Sequence, residues 1–275
     1  MRDRVAAAHT LSTMTTILST CLHEPEARAR RLARAAIANA ERWHHETLRC
    51  VARLERGRSH GIVPTLPEAR RLGAFARYVQ DERAPKVLIG CHVGSFLVVL
   101  LKMLDAVAPG TRVLAPIPAR SAAVLHVLVT YAAAQRKTLE LVPLKTGLVA
   151  KLMRNRWDVV VLLADLGAAY GRVADVTFLD LPCKLVSGPY QMARLLHGSL
   201  LFFWDGPEDG FHTDQPDDTF EAESAATIAA LAQCYARRMQ RVIAAEPARW
   251  GRWLQLPELT IPGANPHVVA PDRGR

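Results

Sequence analysis

The chain has 275 residues, of which 50% are hydrophobic and 22% charged, a composition that is typical of a globular protein and excludes an intrinsically disordered one. Residues 1–262 are predicted to form a single domain with a helical N-terminal part, residues 1–58. The Pro-, Gly- and Arg-rich residues 263–275 are predicted to be a disordered tail. The formal net charge of +9 favours an acidic partner.

The cysteines and the apolar runs indicate a soluble, cytoplasmic protein. The five cysteines lie far apart and form no C-x-x-C pair, so we interpret them as reduced thiols. No signal peptide is recognisable, and the longest apolar run, residues 96–101, is too short to span a bilayer. The positive charge is compatible with a peripheral position at an anionic membrane surface, but no integral membrane segment is predicted. No spacing of residues suggests a metal site, and nucleic acid is not a predicted partner because no aromatic residues interleave the arginines.

The predicted elements begin with helices and continue as an alternation of strands and helices. Helical patterns cover residues 26–55 and 68–82. The predicted strands are 87–91, 112–115, 139–142, 159–164 and 199–204, and the helices among and after them are 96–107, 121–136, 146–156, 188–196 and 225–246. This alternation predicts an α/β fold, with a mostly parallel sheet flanked by helices.

Three polar residues directly follow strands of the predicted sheet: His92, Asp165 and Asp205. Because ligands bind beyond the carboxyl ends of parallel strands, we expect these residues to lie on one rim. His92 is the strongest candidate for a functional residue, since it lies on a Gly-flanked turn between a strand and a helix.

Two neighbours of His92 offer alternative chemistry. Cys91 is adjacent, but successive strand residues point to opposite faces, so a Cys–His dyad is geometrically poor. Ser95 could act as a nucleophile, but the G-x-S-x-G motif is absent. A role as the N-cap of the following helix accounts for Ser95 more simply.

Five blocks of the chain carry a family resemblance. They are Cys21-Leu22-His23-Glu24 with the Arg-rich helix after it, VLIGCHVGSF (87–96), LVPLKTGLVAKLMRNRWDVVVLLADLG (141–167), DVTFLDLPCKLVSGPYQMARLLHGSLL (175–201) and EPARWGRWLQL (246–256). In this order they resemble the late acyltransferases of lipid A biosynthesis, within the lysophospholipid acyltransferase superfamily. The resemblance covers about residues 20–257 and implies a glycerolipid acyltransferase-like fold.

The resemblance implies an enzyme that transfers an acyl chain from a carrier-protein or coenzyme A thioester to a hydroxyl or an amine. His92 corresponds to the motif histidine, the general base that deprotonates the acceptor. Asp165 corresponds to the aspartate at a later strand end and is predicted to assist His92. Arg136 lies near a family arginine, and it is predicted to bind substrate together with Ser95 and Asp205.

The remaining predictions concern the acyl donor. An apolar groove lined from residues 96–104 and 122–129 is expected to hold the acyl chain. The net charge of +9 would suit the docking of an acidic acyl carrier protein. No cofactor is predicted besides the donor thioester itself.

One position departs from the family motif, because the acid five residues after the histidine is replaced by Leu97. In other His–carboxylate sites, loss of the acid lowers turnover by about 10⁴-fold. Three explanations are open: Asp165 or Asp205 substitutes for the acid, His92 acts alone, or the chain is an inactive relative that serves as a partner of another enzyme. Thioester hydrolysis or cyclisation on the same site is a further alternative. A ring nitrogen of His92 within about 2.6–3.2 Å of a carboxylate would favour catalysis.

Overall fold

The structure is a computed structural model that describes residues 2–57, 69–80, 85–117, 122–143, 148–154, 156–206, 211–213, 220–221 and 227–262. The predicted tail, residues 263–275, lies outside the described residues. In the part that is described, the chain has the α/β architecture that the alternation of patterns predicts. None of its described helices combines the length and the apolar character needed to cross a lipid bilayer.

A mostly parallel sheet forms the centre of the fold. In spatial order its parallel strands are β3 (Thr138–Pro143), β2 (Arg112–Ile117), β4 (Val159–Leu163), β1 (Lys86–Gly90) and β7 (Ser199–Trp204). Two short strands, β8 (His212–Thr213) and β9 (Phe220–Glu221), pair antiparallel with β7. The residues of β1 are all buried, as expected of a strand that helices cover on both faces.

The position of β1 between β4 and β7 places the candidate site. Gly90, the last residue of β1, pairs with Leu163 on one side and with Phe203 on the other. A side chain at Gly90 would collide with the ring of Phe203, so only glycine allows this close packing. The three strands end at the same edge, and the residues that follow them are neighbours.

Helices precede the sheet and cover both of its faces. As predicted, the N-terminal part is helical, with α1 (Arg2–Leu22) and α2 (Glu26–Glu55) packed against each other. The other helices are α3 (Ala69–Gln80), α4 (Phe96–Ala106), α5 (Ala122–Ala134), α6 (Leu148–Arg154), α7 (Gly188–Leu195), α8 (Ile228–Ala245) and α9 (Leu256–Leu259). The helices from α2 to α8 each lie within a few residues of their predicted bounds.

The hydrophobic core has two halves, one on each face of the sheet. Val87 and Ile89 of β1 belong to one half and Leu88 to the other, because successive strand side chains point to opposite faces. The first half includes residues of α1, α2, α7 and α8, and the second includes residues of α3, α4 and α5. The turn that carries His92 therefore begins at the end of a strand whose two faces are both packed.

One antiparallel hairpin, β5 (Val173–Phe178) with β6 (Leu181–Val186), is absent from the predicted elements. Its two-residue turn, Leu179 and Asp180, has φ values of 53° and 58°, in the left-handed region that such turns require. The turn lacks the Gly or Asn-Gly that marks these turns in a sequence, which is why the hairpin was not predicted. Gln233 of α8 accepts from and donates to the main chain of β5, which satisfies polar groups on this strand.

Candidate active site

The carboxyl edge of the sheet brings together three residues that follow neighbouring strands. His92 lies on the turn after β1, Asp165 follows β4 and Asp205 follows β7. Because β1 lies between β4 and β7, the two carboxylates flank the turn. Strand order thus places both acidic residues close enough to contact the segment that carries His92.

His92 and Asp165 form a hydrogen-bonded pair. The Nδ1 atom of His92 lies 2.9 Å from Oδ1 of Asp165, and the main-chain N–H of His92 donates to Oδ2 at 2.8 Å. Because a carboxylate oxygen only accepts, Nδ1 carries the hydrogen, and in the neutral imidazole Nε2 keeps its lone pair. The distance fits the geometry of general acid–base pairs. Leu97 cannot provide a carboxylate for His92, but Asp165 provides one.

Asp165 is kept in its charged form by its surroundings. The side chain is fully buried, and the indole N–H of Trp250 donates to Oδ2 at 2.9 Å. Burial by itself raises the pKa of Asp165, but the charge and hydrogen bonds of His92 and the charge of Arg252 outweigh it and lower the pKa to about 2. At neutral pH, a negative carboxylate therefore faces the imidazole and would stabilise its protonated form.

An apolar cavity of about 190 Å³ lies beside His92. The His92 side chain, 30% exposed, forms part of the cavity wall. Most of the lining is apolar and comes from the ends of β2 and β4 and from α4, α5 and α7; it includes Phe96, Ile117, Leu125, Leu162 and Met192. Arg252 lines the same cavity. The site combines a proton acceptor with a space that suits an alkyl chain.

The turn that carries His92 is clamped by the segment after α8. The N–H of Gly94 donates to the carbonyl of Arg249, and the N–H of Gly251 donates to the carbonyl of His92, both at 2.9 Å. Gly94 has a φ of 75°, and a side chain there would collide with the carboxylate of Asp205. Only glycine meets both demands, so the predicted glycine-flanked turn has a structural reason.

Asp205 supports the turn from the side of β7. Its Oδ2 accepts from the N–H of Ser95 at 3.0 Å and from the guanidinium of Arg249 at 2.8 Å. The residue is 6% exposed and does not line the cavity. The structure thus shows Asp205 holding the turn, and it shows no contact that would support the predicted role in substrate binding.

Between about pH 4 and pH 6, the titration of Asp205 is expected to lower the stability of the protein as pH rises. Burial raises the pKa of Asp205 from 3.8 to about 6, although Arg249, the N–H of Ser95 and Lys102 oppose the increase. In this window the folded state holds more protons than the unfolded state, so its free energy of unfolding falls with rising pH. Relative to Asp205→Asn, which does not titrate, the wild-type urea midpoint is expected to decline across the window and then level off.

The titration of Asp165 changes the free energy of unfolding in the opposite direction and at lower pH. Its folded pKa of about 2 lies below the unfolded value, so its stabilisation is present above about pH 4 and is lost as pH falls towards 2. This contribution is common to the wild type and to Asp205→Asn, and it cancels in their difference. Parallel pH profiles of the two urea midpoints would contradict the raised pKa of Asp205.

Leu97 occupies the motif position of the acid but belongs to the core. Phe96 lines the cavity, and the next residue is rotated by about 100° around the axis of α4. Leu97 is 3% exposed and packs in the same half of the core as Leu88. Most of the predicted groove residues from 97 to 104 are buried in the same way. Phe96 and Leu125 come from the two predicted groove segments and do line the cavity, and the strand ends contribute much of the rest.

Leu97→Glu is expected to lower the free energy of unfolding by about 3–5 kcal/mol, because it removes packing and places an unpaired carboxyl group in the core. Leu97→Met, which nearly conserves volume, is the matched control and is expected to cost less than about 1.5 kcal/mol. Urea unfolding measures both values. Equal stability of Leu97→Glu and Leu97→Met would show that position 97 is not packed as the structure has it.

The two neighbours of His92 with alternative chemistry are both buried. Ser95 stands at the N-cap of α4, but its hydroxyl makes no capping hydrogen bond and Oγ has no partner in the described structure, so the predicted side-chain cap is wrong. The carboxylate of Asp205 accepts a main-chain N–H at this helix end instead. Ser95 does not line the cavity, so no substrate contact is seen. Burial raises the pKa of the Cys91 thiol well above its usual range, which makes a thiolate nucleophile unfavourable.

Arg136 lies at the opposite edge of the sheet. It follows α5 and comes two residues before Thr138, where β3 begins. Its carbonyl accepts from the N–H of Gly110 at 2.7 Å. Because parallel strands begin at one edge and end at the other, Arg136 is separated from His92 by the length of the sheet. The structure does not bring this predicted substrate-binding residue to the site.

Two site residues were missed by the sequence analysis. Trp250 donates to Asp165, and Arg252 lines the cavity. The block 246–256 was recognised by resemblance, and its closely spaced tryptophans and arginines were the available signal. No local pattern reports a contact between positions that are 85 residues apart, as Trp250 and Asp165 are.

Comparisons with known proteins assign no family to the chain, so its class is defined by its architecture and its site. No protein-family model matches the chain, and no curated protein matches it either. Among the residues that the structure describes, no group of three or more His, Cys, Asp or Glu side chains could hold a metal ion. Fold and site define an α/β protein with a His–Asp pair beside an apolar cavity.

Proposed function

We propose that the protein is an acyltransferase that moves an acyl group from a carrier-protein or coenzyme A thioester to a hydroxyl or an amine, with His92 as the general base. The observation that carries the proposal is the 2.9 Å contact between His92 Nδ1 and the buried carboxylate of Asp165, beside an apolar cavity. A glycerolipid acyltransferase-like fold is part of the proposal. The parallel sheet, the helical N-terminal part and the order of the five sequence blocks support it.

In the proposed reaction, the acyl chain lies in the cavity and the acceptor approaches Nε2 of His92. The acceptor oxygen or nitrogen bonds to the thioester carbonyl carbon while Nε2 takes its proton, and Asp165 stabilises the imidazolium. The tetrahedral intermediate then collapses and the C–S bond breaks. The departing sulfur takes the proton from His92, which returns to its neutral form.

The proposed donor is an acyl thioester of an acyl carrier protein or of coenzyme A, both of which carry negative charge. Burial of an alkyl chain in the cavity contributes about 25 cal/mol for each Å² of apolar surface removed from water. Acyl carrier proteins are acidic and coenzyme A carries phosphates, so the net charge of +9 favours encounter with both. The proposed acceptor is soluble and is either carrier-bound or a small molecule. The proposed location is the cytoplasm, with peripheral contact to the inner membrane.

The proposal is tested with two donors, octanoyl-coenzyme A and octanoyl-acyl carrier protein, and with ethanolamine, which offers both a hydroxyl and an amine. Free thiol and octanoyl ethanolamine are expected to appear together and in proportion to the protein. The analogue of octanoyl-coenzyme A with a methylene in place of the thioester sulfur is expected to compete with the donor, because it binds but releases no thiol.

Each other outcome excludes one interpretation. Absence of thiol above the protein-free background with both donors would show that the chain is not an acyltransferase and would favour an inactive relative that supports another enzyme. Thiol release without octanoyl ethanolamine would identify water as the acceptor. The same His–Asp pair would then serve a thioester hydrolase, since a general base activates water as readily as a hydroxyl.

A further inference from the structure

Three main-chain N–H groups of the turn at His92 are already used within the protein. The N–H of His92 donates to Asp165, that of Ser95 donates to Asp205, and that of Gly94 donates to a main-chain carbonyl after α8. A tetrahedral acyl intermediate carries a negative oxygen, which needs a preorganised donor to be stabilised. These three groups cannot supply it without breaking the contacts that hold the turn.

Arg252 is the permanent cation among the described residues that line the cavity. Its Nε is shielded from solvent and has no hydrogen-bond partner in the described structure. Arg252 and His92 line the same cavity, and the charge of Arg252 helps to lower the pKa of Asp165. A ligand in the cavity cannot reach this shielded Nε atom, but the positive charge of Arg252 at the cavity wall favours a ligand that carries negative charge there, because apolar surroundings screen the attraction less than water does.

The second arginine of this segment has a different task. The guanidinium of Arg249 lies 2.8 Å from Asp205 and 3.4 Å from Glu246, and neither it nor Asp205 lines the cavity. Arg249 is therefore committed to ion pairs that hold the turn. Arg252, three residues later, faces the space where the proposed reaction takes place.

We propose that Arg252 is a catalytic residue that binds the thioester carbonyl oxygen and the oxyanion formed from it, an inference that rests on the proposed acyl transfer. As the acceptor bonds to the carbonyl carbon and His92 takes its proton, the C=O π electrons move to the oxygen, and a guanidinium N–H donates to it. On collapse, the electron pair re-forms the C=O bond and the C–S bond breaks. The sulfur leaves with the proton from His92.

The apolar wall strengthens this interaction. A charge pair is worth more in a site that excludes water than on the surface, because the effective dielectric constant is lower. Since the oxygen carries more charge in the intermediate than in the thioester, Arg252 stabilises the transition state more than the ground state. The expected signature is therefore a loss of kcat with little change in KM.

Two substitutions test the proposal by kinetics, with release of thiol from octanoyl-coenzyme A as the readout. Arg252→Met keeps the aliphatic stem and removes the donors, and it is expected to lower kcat by about 10²–10³-fold. Arg252→Lys keeps the charge but loses the planar donor set, and it is expected to retain more activity. Arg34→Met, at an exposed position of α2, is the matched control and is expected to behave as wild type.

A binding measurement separates this role from a structural one. Octylphosphonate is a tetrahedral anion on an eight-carbon chain, whereas 1-octanol carries the same chain without charge. Calorimetry measures the affinity of the cavity for both ligands. Arg252→Met is expected to weaken the binding of octylphosphonate at least about tenfold, because a charge-assisted hydrogen bond is lost. The affinity for 1-octanol is expected to stay within about threefold of the wild-type value. Equal weakening of both would show that Arg252 merely shapes the cavity and would overturn the proposal.

The kinetic outcomes are equally decisive. Unchanged kcat in Arg252→Met, with or without a higher KM, would overturn the role in oxyanion binding and leave the acyl transfer itself standing. If the wild type releases no thiol from either donor, the proposed function fails and this inference fails with it.

Discussion

His92→Ala is expected to lower the kcat for thiol release from octanoyl-coenzyme A by about 10⁴-fold or more. Of the described residues that line the cavity, His92 is the side chain that offers a basic nitrogen lone pair. Asp165 cannot replace it as the base, because it is fully buried and its pKa is about 2. Without the imidazole, the acceptor must lose its proton to water, and the contribution of the general base is lost.

The fold is expected to survive this substitution. Asp165 keeps two donors, the indole of Trp250 and the main-chain N–H at position 92, so its buried charge stays solvated by the protein. His45→Ala, at an exposed position of α2, is the matched control and is expected to leave kcat unchanged. Added imidazole is expected to restore part of the activity of His92→Ala only. A variant that keeps more than a tenth of the wild-type rate would contradict the role of His92.

Asp165→Asn is expected to lower kcat by about 10³–10⁴-fold. Oδ2 of Asp165 accepts two N–H groups, from Trp250 and from the main chain of His92, so the single oxygen of an asparagine must take this place. The amide NH₂ of the asparagine then faces Nδ1 of His92. Because that NH₂ only donates, it stabilises the tautomer with the hydrogen on Nε2, which cannot accept a proton from the acceptor.

The control for this variant is an exposed carboxylate. Asp175 is 70% exposed and pairs with Lys184 at the surface, and Asp175→Asn is expected to leave kcat within about twofold, because exposed ion pairs contribute little. Binding of the uncleavable donor analogue is expected to be unchanged in Asp165→Asn, since the cavity is intact. A kcat within tenfold of the wild type would show that His92 does not need Asp165.

Local patterns predicted most elements of the fold. Apolar runs that alternate with helical patterns identified β1, β2, β3, β4 and β7, and the parallel arrangement followed from that alternation. The hairpin of β5 and β6 was missed because Leu179 and Asp180 adopt left-handed conformations that these residue types seldom signal. Its stability comes from pairing and from α8, which are contacts that a local pattern does not contain.

The candidate site could be predicted only in part. His92 and the two aspartates follow strands, so their common edge could be inferred from the sheet alone. Arg136 was placed by a loose resemblance, and the structure puts it at the other edge. Arg252 was overlooked because a cavity wall is assembled from segments distant in sequence, and no single segment shows which of its side chains will face the space.

By itself, the sequence determined the strands, the glycine turn and the residues at the strand ends, because these depend on neighbours in the chain. The tertiary structure alone decided which carboxylate binds His92. Asp165 and Asp205 are equivalent in pattern, and only the packing shows Asp165 bonded to the ring across 73 positions while Asp205 bonds to the turn. The physical reason is that hydrogen bonds depend on spatial separations of a few ångströms, which the strand order and the packed core set.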